Sequence, residues 1–302
     1  AANLCLDPAV TYIVEFSTIP SDTQFSTEDA DGSCAPGASD DIDPSNGQSD
    51  CLDPSDNDGD EDDHVDVGVV PLGSIGSVIF VDKDNNGQFD AGEDTVGDAG
   101  KTITVELVDA STGLVVATTT TDSNGEYVFD DLLPGDYTVQ FVAPASFPVS
   151  STPTDTADNQ EDNDDNGSQA AIGGQIVSPV ITLSPGTEPI GDAGIESTPD
   201  ENGDNTVDFG VFACQEIGGT MFTDNDNDGC QDAGEPGVPG ETVTLFECDG
   251  TGNPVSVAGT ATTDSDGNYT FGPGEPGAAN LCLDPAVTYI VEFSTIPSDT
   301  QF

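Results

Sequence analysis

Two stretches of this 302-residue chain carry oxygen donors at a spacing that chemistry can use. In the first, Asp82, Asp84 and Asn86 alternate up to Gly87, and Asp90 and Glu93 follow; in the second, Asp224, Asp226, Asp228, Gly229, Asp232 and Glu235 repeat the pattern. Donors at the first, third, fifth, ninth and twelfth positions of a loop, with glycine sixth for the tight turn and the seventh carbonyl (Gln88 or Cys230) turned inward, are the arrangement that wraps a calcium ion. Hard oxygens and a bidentate Glu in the last position favour Ca²⁺ over the smaller Mg²⁺. The runs SVIFV and GTMFT before the two loops read as strands. The expectation is therefore a calcium loop hung on a strand, without the helices of an EF-hand.

Other acidic groups are less specific. Asp56 to Asp63, Asp162 to Asp165 and Asp200 to Asp204 precede a last strand, which predicts that they gather with the main loop at one end of the fold. Asp122 and Asn124 in TDSNGEY, and Asp264 and Asp266 in TDSDGNY, are first of all hairpin-turn chemistry. His64 reads as a partly exposed strand residue and not as a ligand. Asn166 and Asn268 match the N-glycosylation pattern. A lysine–asparagine isopeptide crosslink needs a buried lysine, for which Lys101 is the one candidate, since Lys83 lies in the first acidic loop.

The chain carries 7 cysteines without CxxC or Cys/His zinc spacing. Such usage points to disulfides in an oxidising compartment. Many connectivities are open; the pairing expected here is Cys34 with Cys51 around a Gly/Pro/Ser-rich loop, Cys248 with Cys282 across neighbouring strands, and Cys214 with Cys230.

Composition excludes several functions. Lys plus Arg total 2 against 59 Asp plus Glu, a formal charge of -57. Nucleic-acid binding needs cations to neutralise phosphate, so it is excluded, and an anionic membrane surface repels the chain for the same reason. Neither lysine follows a phosphate-cradling glycine loop, and no nucleophile–base pair or open metal site is visible, so neither an enzyme nor a small-molecule substrate is expected. There is no apolar stretch long enough for a membrane span and no signal peptide at the start, so the chain reads as mature or as cut from something larger.

The elements that must position the loops repeat. Residues 1–25 recur unchanged as 278–302, as in a window on a longer periodic array. Inside that period a diverged repeat aligns SIGSVIFVDKDNNGQFDAGED at 74–94 with EIGGTMFTDNDNDGCQDAGEP at 216–236, and NTVDFGVF at 205–212 with DHVDVGVV at 63–70. The expected organisation is a complete domain at 72–214, the first part of a second domain at 215–302, and the last part of a preceding copy of that second domain at 1–71. Runs such as ITVELVD (103–109), LVVATTTT (114–121), YTVQF (137–141) and VDFGV (207–211) cluster or alternate β-branched and aromatic residues, which predicts an all-β, antiparallel sandwich. Only four residues, Ala213 to Glu216, lie between VDFGVF and the IGG that opens the next domain's first strand, which predicts a stiff rod.

The layout of IGxxxFxDxDxNGxxDxGE, TVEL, TTTDSNGEYVF and LPGDYTVQF resembles the calcium-binding B repeat of staphylococcal serine-aspartate adhesins, within the collagen-adhesin B-type (Ig-like) superfamily. The resemblance departs in the second domain, where a longer segment, Gly272 to Ala286, replaces the PGDY element. It implies a secreted or cell-surface sandwich serving as a calcium-stiffened stalk, without enzymatic activity.

The sequence thus predicts a structural subunit of an extracellular prokaryotic filament whose partners are neighbouring copies, end to end or side by side. An adhesin stalk with its ligand-binding head elsewhere is the alternative. A third reading has residues 1–71 of one subunit completing a neighbour's half-domain, with residues 1–25 and 278–302 competing for one place.

Overall fold

The structure is a computed structural model and describes residues 15–26, 42–43, 48–49, 68–152, 162–190, 199–273 and 281–293. Ahead of the main sandwich lie β1 (Thr23–Phe25), β2 (Ile42–Asp43), β3 (Gln48–Ser49) and β4 (Val69–Pro71). The sandwich opens with β5 (Gly73–Val81), then β6 (Asp94–Thr95), β7 (Thr104–Asp109), β8 (Leu114–Thr120), β9 (Glu126–Leu132) and β10 (Gly135–Val142). Shorter strands complete it: β11 (Val149–Ser150), β12 (Ser168–Gln169), β13 (Gln175–Val177), β14 (Ile181–Leu183), β15 (Gly203–Asp204) and β16 (Phe209–Phe212). Beyond them come β17 (Ile217–Thr220), β18 (Thr242–Cys248), β19 (Pro254–Thr262), β20 (Asn268–Phe271) and β21 (Tyr289–Phe293). Among the described residues there is no α-helix, and the expected all-β fold is what forms.

One sheet of the sandwich runs β12-β13-β10-β7-β8, with β14 also on β10; the other runs β11-β16-β5-β15, with β6 and β9 on the opposite side of β5. Period-two alternation sets the faces. On β9, Tyr127 and Phe129 point inward, and on β10, Tyr137, Val139 and Phe141 do the same, between exposed or half-exposed neighbours. β5 differs, being buried along its whole length because strands flank both its edges. Ile75, Ile79, Leu107, Val139, Ile176 and Val211 fill the space between the sheets. Phe209 stands at the centre, 5.1 Å edge-to-face from Phe141 and 6.1 Å from Tyr127. The one polar group of this aromatic cluster is satisfied, since the Tyr127 hydroxyl donates to the Val207 carbonyl at 2.6 Å.

The pairing of the first and last long strands has a geometric consequence. β16 lies parallel to β5, with Phe209 opposite Ile79 and Val211 opposite Val81, whereas β15 lies opposite Ser74 and Ile75 at the start of β5. A chain that enters at Gly73 and leaves after Phe212 therefore enters at one pole and exits at the other. At the ordinary rise of a strand the poles are separated by ~27 Å.

After β16 the same design begins again. β17 pairs with β20 as β5 pairs with β9, and β18 lies between β19 and β21. A smaller core of Val243, Leu245, Ala261, Phe271 and Leu283 lies under these strands.

Candidate metal centre and the joint beside it

The first acidic loop leaves the end of β5 directly, so its first donor is fixed by the sheet. The Asp82 amide donates to the Val211 carbonyl of β16 at 3.0 Å, and the side chain is fully buried. Its carboxylate accepts the amides of Asn86 and Gly87 at 3.2 and 2.9 Å, which folds the loop back on itself. Gly87 has φ 77°, the left-handed conformation that a tight sixth position demands. Glu93 closes the loop by accepting the amides of Lys83 at 2.6 Å and Asp90 at 3.1 Å. Asn86 Nδ2 donates to Asp90 at 2.8 Å. Oxygens of Asp82, Asp84 and Glu93 lie within 4.8 Å of one another.

Three carboxylates converging so closely repel unless a cation sits among them. Burial raises the Glu93 carboxyl above its ordinary value; the amides of Lys83 and Asp90 act in the other direction, and Asp82 and Asp84 push it further up. The donor set is all oxygen, the turn glycine is in place and the closing Glu93 converges with Asp82 and Asp84, so the residues present fit a calcium ion. Asp82, Asp84, Asn86, Asp90 and Glu93, with the Gln88 carbonyl, are the groups that would hold it. Its charge would offset their mutual repulsion.

The second loop repeats this geometry more openly. Asp224 accepts the amides of Asn227, Asp228 and Gly229 at 2.6, 3.3 and 2.9 Å, and Glu235 accepts those of Asn225 and Asp232 at 2.6 and 2.9 Å. Oxygens of Asp224, Asp226 and Glu235 converge within 4.8 Å, as do those of Asp226, Asp228 and Asp232. Gly229, at φ 82°, again supplies the turn. The Gly229 amide is the main cause of the lowered Asp224 pKa. Cys230 donates its amide to Asp228 at 2.8 Å and carries an exposed free thiol.

Two of the other acidic clusters lie at opposite poles, while Asp56 to Asp63 lies outside the described residues. Asp162 to Asp165 does run beside the first loop: Phe89 donates to the Asn163 carbonyl at 2.8 Å and Asp165 to the Gly87 carbonyl at 3.0 Å. Asp200 to Asp204 does not, because β15 pairs with the start of β5 and so lies at the opposite pole. Nearness in sequence to the last strand is misleading where that strand runs parallel to the first. Asp208, on the approach to β16, accepts Ser77 Oγ, the Val78 amide and the Asn163 amide. Burial pushes its carboxyl up to about 7, against the opposing Ser77 hydrogen bond.

The disulfide pairing differs from the expectation. Cys214 bonds to Cys282, with Cα atoms 4.5 Å apart, while Cys230 and Cys248 are free thiols. An antiparallel bridge between Gln215 and Leu283, in which the Gln215 amide donates to the Leu283 carbonyl at 3.0 Å, brings the two segments together with Cys214 and Cys282 diagonal across it, within reach of a disulfide. Neither Cys214–Cys230 nor Cys248–Cys282 forms. Cys34, Cys51 and His64 lie outside the described residues. Asn166 is buried, with Oδ1 accepting the Asp208 amide at 2.9 Å, so it is no accessible glycan acceptor as folded. Lys83 is exposed, bonded to the Gly92 carbonyl and paired with Asp94, both at 2.8 Å.

One contact escapes any reading of ligand positions. Asn85, the fourth residue of the first loop, is buried at φ 53°. Its Nδ2 donates to Thr152 Oγ1 at 3.0 Å and to Asp284 Oδ1 at 2.9 Å, and its Oδ1 accepts the Thr152 amide at 2.6 Å. The first loop thus touches the segment that follows β20, close to the Cys214–Cys282 bond. That segment is the one where the second domain departs from the repeat layout, and it supplies both Cys282 and Asp284.

Fold and loops together define a β-sandwich scaffold with acidic loops at its end. A family model described as the SdrD B-like domain matches residues 73–188 and 215–302, and the chain belongs to that family. Serine-aspartate repeat-containing protein E of Staphylococcus aureus strain MSSA476 is 34% identical over 218 residues, covering 70% of this chain and 16% of that protein. The bone sialoprotein-binding protein of Staphylococcus aureus matches to the same extent. Colossin-A of Dictyostelium discoideum is 32% identical over 242 residues, which is 79% of this chain and 2% of that protein. The chain thus spans a small fraction of the curated relatives it matches. The shaft pilin spaA of Lactobacillus rhamnosus GG is 10% identical over 75% of this chain and 89% of that one, at a TM-score of 0.26 too low to carry an argument. Family membership places the chain outside the cell, at a bacterial surface, in a structural and not an enzymatic role.

Proposed function

We propose that this chain is a stretch of an extracellular filament built from tandem β-sandwich domains whose acidic loops bind calcium. Residues 72–214 are one complete domain, 215–302 the first part of the next, and 1–71 the last part of the preceding copy. The observation that carries the reading is the parallel pairing of β5 with β16, which makes the chain enter and leave the sandwich at opposite poles. Domains joined in that way extend a line instead of folding back. The first loop supports the calcium role, since its converging carboxylates sit at the exit pole and Asn85 reaches from it to Asp284. Calcium would fix the loop, and with it the contact between successive domains. The partners are neighbouring copies of the repeat.

A stalk below a ligand-binding head is the second reading, favoured by relatives that are far longer than this chain and by one named for binding bone sialoprotein. Electron microscopy of the native material separates the two. Long uniform filaments with an axial repeat of two domains support the filament; short rods ending in a globular head move the assignment to the stalk. Material without any elongated particles overturns both.

A further inference from the structure

Within the complete sandwich, β8 closes one side of its sheet, with β7 beside it and, among the described residues, no strand on its other side. The Thr121 amide donates to the Ile103 carbonyl at 2.9 Å, so by the alternation of an antiparallel ladder Thr118 and Thr120 direct their amides and carbonyls away from β7, to the open edge. The side chains that begin the strand are apolar and face water: Leu114, Val115 and Val116 are 66%, 49% and 54% exposed.

Charge is missing from this edge. Charged residues make up 20% of the chain, yet residues 110–121 carry none. Edge strands that stay single are guarded by charge or proline. β8 has neither, and only a bulge opposite Leu107 and Val108 interrupts its ladder. The second domain repeats the feature: β19 flanks β18 as β8 flanks β7, residues 250–263 are again free of charge, and Val255 and Val257 are exposed. A cationic partner would be drawn to the carboxylates and not to a neutral strip. For two copies of a chain with a formal charge of -57, a neutral strip is where approach costs least.

We propose that β8 pairs antiparallel with β8 of a second copy about a twofold axis at Ala117, joining two sheets side by side. Val116 then stands opposite Thr118, and Leu114 opposite Thr120. The orientation follows from the charges that bracket the neutral run. Parallel pairing in register would set Asp109 and Asp122 each against its own copy, whereas about Ala117 they fall opposite Gly125 and Thr112. Glu106, on β7 opposite Thr118, accepts Gln140 Nε2 at 2.9 Å and stands one strand back from the edge. The two copies of Glu106 are then at least three strand spacings apart, ~14 Å, beyond the screening length of ~8 Å in physiological salt. A strand pair alone is smaller than a standard interface, so a single contact is weak. Repetition along a filament makes it durable, and to that extent the inference rests on the filament reading.

The test is sedimentation velocity of the full 302-residue chain over a concentration series, in calcium and moderate salt. All samples carry Val257→Glu, which charges the β19 edge so that β8 alone is read. To this background are added Val116→Glu, Val116→Thr or Val142→Glu. Val116 and Val142 are both exposed, so the variants keep the fold, and Val142 lies on β10 inside the sheet, where the same added charge meets no edge. Concentration-dependent association is expected for the background chain, for Val116→Thr and for Val142→Glu, with a loss of at least tenfold for Val116→Glu. A background chain that stays monomeric, a Val116→Glu chain that associates as well as the background, or an equal loss in Val142→Glu overturns the pairing. Any of these leaves the filament reading standing, because elongated native particles decide that one. Association through β8 in a protein whose native material shows no elongated particles would keep the pairing and remove the filament.

Discussion

Asp82 is held by amides of its own loop and by β16, and its carboxylate converges with those of Asp84 and Glu93, so their repulsion is built into the folded chain. A cation relieves that repulsion. At a concentration one hundred times its dissociation constant, a ligand that binds only the folded state adds about 2.7 kcal/mol. Asp82→Ala combined with Asp84→Ala is expected to remove about that much in millimolar calcium, lowering the melting temperature by several degrees, and to cost less in chelator. Equal losses in both media would assign these carboxylates a purely structural role. Asp208 gives a second prediction at this scale. Its folded carboxyl titrates near 7, well above the unfolded value, so the folded state holds the proton more tightly. The stability contributed by the protonated form is full below the unfolded value of 3.8 and falls as pH rises through about 7. The whole span is worth on the order of 4 kcal/mol. Asp162, Ser77, Asn163 and Val78 face this group, and Asp208→Asn should flatten the slope of melting temperature between about pH 5 and pH 7. An unchanged slope would place the titration elsewhere.

At the scale of strands, the alternation of β7, β9 and β10 is plain in the sequence, because one face of each meets a core and the other meets water. The convergence of carboxylates within the two acidic loops was equally legible, since spacing along a loop is a local property. The joint was not. Cys214 meets Cys282 through the Gln215–Leu283 bridge, a tertiary register that no spacing rule encodes. Asn85 is silent in the ligand pattern because the fourth position of the loop donates nothing to an ion; its left-handed backbone and its contact with Asp284 appear only in the fold. The same dependence on register put Asp200 to Asp204 at the pole opposite to the expected one. Peptide mapping under non-reducing conditions should recover Cys214 linked to Cys282, with Cys230 and Cys248 open to alkylation after unfolding. A Cys248–Cys282 peptide would contradict the structure. Cys282→Ser should cost about 2–4 kcal/mol, read as a lower melting temperature for the strands after β16. In the core, Phe209→Ala removes the ring shared by Phe141 and Tyr127 and should cost about 3–5 kcal/mol in denaturant unfolding.

For the whole molecule, direction of travel follows from one pairing. With β16 parallel to β5, this sandwich passes the chain from pole to pole, and the loop that leaves β5 lies at the exit. There the Cys214–Cys282 bond and the Asn85–Asp284 contact bind the next strands, so the joint has a covalent and a loop-dependent component. The formal charge of -57 works against any compact association of such units at low ionic strength. Divalent cations are the natural counterweight. Calcium bound in the first loop is proposed to hold this joint at one angle. Small-angle X-ray scattering of the full chain in millimolar calcium and after chelation, below the concentration at which copies associate, tests it most directly. A narrow, elongated distance distribution in calcium that broadens on chelation is the predicted result, while superimposable profiles in the two media would contradict the claim.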